Sequence, residues 1–268
     1  MKKRGQVTLF VILGIVIVAV LLFFLVGRET IFMPISSESL NSEMDNIKKI
    51  MIECSYDESA NSPNELIKTL GMQGGYLETP EESYRLFDDS KVSYLCYDIE
   101  NKENCMNRML TIKNMEDQLN ENVGDFMDNC LEEVKSQGNL KTYNVLINGE
   151  PKYEFLIRPD EVVLNINWPI TLKGKSKDIS VSEDKFEIDF NYPLGNLYDV
   201  SQDIINGYSL SPGEATTGYF DSLTYMLSKK GEYKIYVKKP YPDEVYRLVK
   251  EGNNYIFQFA VQGEDRFA

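Results

Sequence analysis

Residues Val7 to Val26, inside "MKKRGQVTLFVILGIVIVAVLLFFLVGR", make a run of twenty without a charge, and no other feature restricts the architecture of this chain as strongly. At about 1.5 Å rise per residue, a helix over the run is roughly 30 Å long, the thickness of a bilayer's hydrocarbon core. Seventeen of the twenty are Leu, Ile, Val or Phe, and each favours insertion at mid-membrane by about 0.3 to 0.6 kcal/mol. A helix apolar on all sides suits a membrane better than the surface of a small soluble core. A cleavable leader ordinarily has an apolar region of about 7 to 15 residues and then a small-x-small site, whereas "LLFFLVGRET" places bulky residues there. The run therefore reads as a permanent anchor bounded by Val7 and Val26.

Charge placement gives the expected orientation. Lys2, Lys3 and Arg4 precede the run, while Arg28 follows it alone and is succeeded by Glu29, Glu38 and Glu43. Basic residues stay on the cytoplasmic side, so the expectation is a single-pass cell-membrane protein with a cytoplasmic N-terminus and an extracellular C-terminal ectodomain. The chain carries 42 Asp and Glu against 28 Lys and Arg, a net charge of −14. Nucleic acid is excluded as an expected partner, because phosphate neutralisation needs clustered Lys and Arg. Expected partners are the lipid bilayer and other surface or envelope proteins, further copies of the chain included. No Asn-x-Ser/Thr sequon with a permitted middle residue occurs, so N-linked glycan is not expected.

Four cysteines, Cys54, Cys96, Cys105 and Cys130, fall in one stretch of the chain beyond the anchor. An extracellular setting favours two disulfides, and four cysteines allow three pairings. The favoured pairing is Cys54 with Cys130 and Cys96 with Cys105, since the second closes a short loop through "YDIENKEN" and leaves the first to clamp two helices. Zinc is the rival reading, but the usual ligand spacing of about two to four residues is absent and the chain has no His. Neither a metal nor a cofactor is expected.

Helical periodicity dominates the region after the anchor. Leu40, Met44, Ile47, Met51 and Cys54 step by four and three, with Ser36 or Ser37 after Pro34 as the cap. The same stripe would serve a coiled-coil seam, but it covers only about two heptads. In "ANSPNELIKTLGMQGG", Ser62, Pro63 and Glu65 read as a capping box with proline at the first position, and Leu66, Ile67 and Leu70 as the buried face. Gly74 and Gly75 should stop that helix, because glycine tolerates positive φ. No phosphate-binding glycine pattern surrounds the pair. A long helix is expected over "NMEDQLNENVGDFMDNCLEEVKSQGN", with Met115, Leu119, Val123, Phe126, Cys130 and Val134 inward and Gly138 as its stop.

Strand signals appear in "KVSYLCYD" and take over beyond Gly138. "EVVLNINWP" puts Val162, Leu164, Ile166 and Trp168 on one side, and "FEIDFNYP" does the same with Phe186, Ile188, Phe190 and Tyr192. An antiparallel sheet with one wet face is the simplest reading. "TLKGKSKDISVSEDK" reads as hairpin edge and turns. "LGNLYDVSQDIINGYS" and "TGYFDSLTYMLSKKG" look helical, and "EYKIYVKK" with the "VYRLVKEGNNYIFQFAVQ" hairpin closes the chain as strands. The expected fold class is α+β: an N-terminal transmembrane helix (residues 1–28, including the basic stub), a helix-rich disulfide-bearing membrane-proximal part (29–138) and an antiparallel-sheet distal part (139–268).

Catalytic signatures are sparse. The absence of His removes Ser-His and Cys-His activation and most catalytic zinc sites, and no Gly-x-Ser-x-Gly elbow occurs. A carboxylate pair or a Ser-Lys dyad is the remaining route to a membrane-anchored hydrolase, and the Glu81, Glu82 and Asp88, Asp89 doublets read as solvated loop residues.

The opening "KKRGQVTLFVILGIV" resembles the class III signal of archaeal type IV pilins and archaellins, in which a basic stretch ends in glycine and the mature subunit begins at a residue such as glutamine. That resemblance implies cleavage between Gly5 and Gln6 and an apolar helix able to pack with copies of itself. Phe10 departs from the pattern, standing at the fifth mature position, where these pilins place a glutamate. "LGMQGGYLETP", "MEDQLNENVGDFMDNC" and "YPLGNLYDVSQDI" together resemble uncharacterised single-pass surface proteins of small-genome archaea. That likeness implies the topology and matches Cys54 and Cys130, and it carries no activity. The expected function is a non-catalytic, membrane-anchored surface protein for adhesion, envelope structure or complex assembly, with a pilin-like filament subunit and an anchored hydrolase as alternatives.

Overall fold

The computed structural model describes residues 16–17, 36–81, 83–97, 106–137, 143–175, 178–210 and 232–263. Val16 and Ile17 are helical, while the rest of the Val7 to Val26 run, with Gly5 and Gln6, lies outside the described residues. Among the described residues no helix is long and apolar enough to cross a membrane. The fold is α+β, with four described helices and two sheets that are mostly antiparallel.

Helix α1 spans Ser37–Ser55, and its cap is Ser36, whose hydroxyl accepts from the Ser39 N–H at 3.2 Å. The inward stripe is Leu40, Met44, Ile47, Met51 and Cys54, as the four-and-three spacing requires. Helix α2 spans Pro63–Met72 with Ser62 as its cap, accepting from the Glu65 N–H at 3.3 Å. The reciprocal half of a capping box is absent, because Glu65 takes the Lys68 ammonium at 2.6 Å and the Ser62 N–H goes to the Ser59 carbonyl. Helix α3 spans Ile112–Gln137. Its fully buried stripe is Met115, Leu119, Val123, Met127, Leu131 and Val134, whereas Phe126 and Cys130 are only partly buried at its edge. The expected stripe is thus shifted by one residue at Met127 and Leu131 and coincides again at Val134. The expected stop, Gly138, lies outside the described residues, as does the expected helix in "TGYFDSLTYMLSKKG".

The first sheet contains β1 (Tyr84–Phe87), β2 (Ser90–Tyr97), β3 (Met106–Asn107), β8 (Tyr233–Lys238), β9 (Glu244–Lys250) and β10 (Ile256–Val261), in the order β1-β2-β10-β9-β8 with β3 on β2. Its β2 to β10 pairing is parallel, placing Tyr94 opposite Ala260. Strands from either side of residue 138 therefore share this sheet. The second sheet is built on the long β6 (Val162–Gly174), with β4 (Tyr143–Ile147) and β5 (Lys152–Ile157) paired to it and β7 (Ser180–Phe190) also antiparallel to it. The "TLKGKSKDISVSEDK" segment expected as edge and turns largely extends the two strands, β6 as far as Gly174 and β7 from Ser180. A bulge at Asn167/Ile170 accommodates Pro169, which has no N–H for a ladder.

One hydrophobic core joins the stripes of α1, α2 and α3 to the inner faces of both sheets, with Trp168, Phe155, Phe190, Phe257 and Phe259 fully buried. Helix α4 (Leu194–Leu210) starts against the turn after β5, where Asn196 N–H donates to the Pro159 carbonyl, and reaches the first sheet with Tyr208. On the opposite face of the first sheet, the β1–β2 hairpin covers a small second core of Val92, Tyr94, Val245 and Ala260.

Candidate functional site

Helix α1 is the first described element after the apolar run apart from Val16 and Ile17, and side chains along its length fasten it to three other elements. Cys54 is bonded to Cys130 of α3, with the two Cα atoms 6.1 Å apart. The Tyr143 hydroxyl of β4 donates to Glu43 Oε2 at 2.9 Å. Lys48 Nζ meets Glu183 Oε1 of β7 at 2.9 Å. Just past the helix, the Tyr56 hydroxyl donates to the Asp189 carbonyl at 2.6 Å, and its ring lies 4.9 Å from that of Phe190. Burial, with the Asp189 charge behind it, holds the Tyr56 hydroxyl above its ordinary pKa, so it remains a donor. The disulfide dominates this set, since an exposed pair such as Lys48 and Glu183 contributes about 1 kcal/mol at most. The arrangement fastens α1 itself to α3, β4 and β7.

The remaining sequence-predicted residues are dispersed. Cys96 ends β2 and is disulfide-bonded; Cys105 lies outside the described residues. Among the described residues no cysteine is free. Gly74 and Gly75 follow α2 at φ of 70° and 92°, and the Gly75 N–H closes back on the Leu70 carbonyl at 2.8 Å. They serve as a helix terminus, and a Cβ on Gly75 would stand 2.9 Å from the Met115 sulfur. Asp88 and Asp89 form the β1–β2 hairpin turn at positive φ, and Asp88 pairs with Arg247 at 3.0 Å. They are a structured turn, not merely solvated loop.

Two carboxylate clusters, one buried and one half-buried, were not visible in the sequence. Asp243, 3% exposed, accepts from Arg85 at 2.9 Å and from Tyr94 at 2.7 Å on Oδ2, and from the Gly263 N–H at 3.1 Å on Oδ1. Its neighbour Glu244 accepts from Tyr208 at 2.6 Å and Tyr246 at 2.8 Å on Oε2, while Lys239 meets Oε1 at 2.8 Å. The two tyrosine hydroxyls also lie against each other, so their two protons are shared among three oxygen contacts. Burial pushes Glu244 up, but the hydrogen bonds from Lys239, Tyr208 and Tyr246 outweigh it and hold the carboxyl below its ordinary value. Tyr246 and Tyr208 are held above the tyrosine range, first by burial. The only hint in the sequence was the "PYPDEVY" string, which sets two acids at the entrance of a strand between prolines and tyrosine.

Chemically, these clusters are closed. Each Asp243 oxygen already accepts from protein donors, and Glu244 is ionised between two protonated tyrosines and a lysine. Such groups fix elements together: Asp243 ties β1, β2 and the end of β10 to the turn before β9, and Glu244 ties α4 to β9. Among the described residues no group of three or more His, Cys, Asp or Glu is placed to hold a metal ion. No protein-family model, curated protein or solved structure matches the chain.

Proposed function

We propose that this chain is a non-catalytic, membrane-anchored surface protein, held in the bilayer by Val7 to Val26 and presenting a rigid ectodomain for adhesion, envelope structure or complex assembly. The observation that carries the reading is the Cys54–Cys130 bond between α1 and α3, because such bonds persist in oxidising compartments. The twenty-residue apolar run with its basic near side supports the same placement. The bonds along α1 suit a rigid ectodomain. Closed carboxylate clusters fit a scaffold better than a hydrolase, whose acid and base need a free oxygen facing substrate.

The test is to express the full chain in an archaeal host, fractionate the cells and map peptides without reduction. The expected result is full-length protein in membranes after an alkaline carbonate wash, digestible from outside, with linked Cys54 and Cys130 peptides. Full-length chain in the soluble cytosolic fraction with four free thiols overturns the proposal.

A further inference from the structure

The outer face of the second sheet carries a pattern the core does not use. Across β5, β6 and β7 the register aligns Glu154, Asn165 and Glu187 in one row and Lys152, Asn167 and Lys185 in the next. The acidic and basic rows are adjacent on one face, about 6.8 Å apart along the strands. The four charged residues are exposed and the asparagines half-buried. Among the described residues no side-chain hydrogen bond or ion pair engages Asn165, Asn167, Lys152, Lys185 or Glu154, while Glu187 has Arg158 at 3.9 Å. Beyond the acidic row lie Leu156, the fully buried Val163 and Asp189, and beyond the basic row the bulge at Asn167/Ile170 interrupts the register.

We propose that this face binds a second copy of the chain, sheet against sheet, about a twofold axis running between the acidic and basic rows. Rotation about that axis turns the face onto itself with rows exchanged, so each basic row lies over the partner copy's acidic row. Lys152 and Lys185 then meet carboxylates equivalent to Glu154 and Glu187, and the asparagine amides meet across the centre. An isologous contact needs such self-complementarity, and face-to-face sheets about 10 Å apart accommodate it. Charge complementarity selects a copy over another acidic protein, because a uniformly acidic surface would confront the basic row alone. The inference does not depend on membrane attachment.

The test is sedimentation equilibrium of the full chain in detergent, with circular dichroism as a folding control. K152E/K185E and E154K/E187K each confront like charges and should weaken dimerisation at least about tenfold. Mixing these two variants, or combining all four changes in one chain, restores opposite charges and should recover the wild-type affinity. A wild-type chain that stays monomeric, a dimer indifferent to both reversals, or a loss that mixing does not recover would each overturn the proposal.

Discussion

The Tyr208 hydroxyl on α4 and the Glu244 carboxylate on β9 meet at 2.6 Å, joining a helix to a strand in a site where the Tyr246 hydroxyl lies 2.8 Å from the same oxygen. Removing one donor leaves a half-buried anion short of a partner. Tyr208→Phe should therefore cost about 1 to 3 kcal/mol, read as a lower urea midpoint with an unchanged m-value.

The same cluster sets the response to acid. Glu244 has its carboxyl pKa lowered in the fold, so its contribution is complete above the unfolded value and is lost as pH falls through the folded one. Glu244→Gln should flatten the acid limb of the stability curve relative to wild type, measured by urea unfolding from neutral to acid pH. An acid limb of unchanged steepness would remove Glu244 from this role.

At the alkaline end the sign reverses. Tyr94, Tyr153, Tyr208, Tyr246 and Tyr255 all have pKa values raised, in each case first by burial. A raised value means stability that is complete below the unfolded tyrosine pKa near 10 and declines as pH climbs past it. Tyrosinate absorbance should show these five ionising together with loss of the circular dichroism signal, not before it.

Cys54 and Cys130 are separated by 76 residues in the chain. Restricting a loop of that size in the unfolded state stabilises by about 4 kcal/mol on the chain-entropy account. The C54S/C130S double variant should lose a comparable amount in chemical denaturation without reductant.

Two turns predict opposite outcomes for small substitutions. Gly75→Ala should destabilise by about 1 to 3 kcal/mol, since φ is 92° and the new Cβ would crowd the Met115 sulfur at 2.9 Å. Asp89→Gly should stabilise by about 0.5 kcal/mol, because φ is 62° in a two-residue hairpin turn that favours glycine second. Thermal unfolding of the two variants checks both signs.

The sequence by itself determined the local elements. The α1 stripe from Leu40 to Cys54, the Ser36 and Ser62 caps, the glycine stop at Gly74 and Gly75 and the alternation in β6 and β7 are all set by neighbours within a few residues, where helical and strand periods act directly. The capping box at Ser62 was half legible, because Lys68 competes for Glu65 in a way spacing does not rank. Tertiary structure decided the parallel β2 to β10 pairing, the shift of the α3 stripe toward Met127 and Leu131, and the union of Arg85, Tyr94 and Asp243 from segments 149 and 158 residues apart. Those contacts follow from how whole faces fit when they are buried together, and a residue's own neighbours in the chain hold no record of which distant face it will meet.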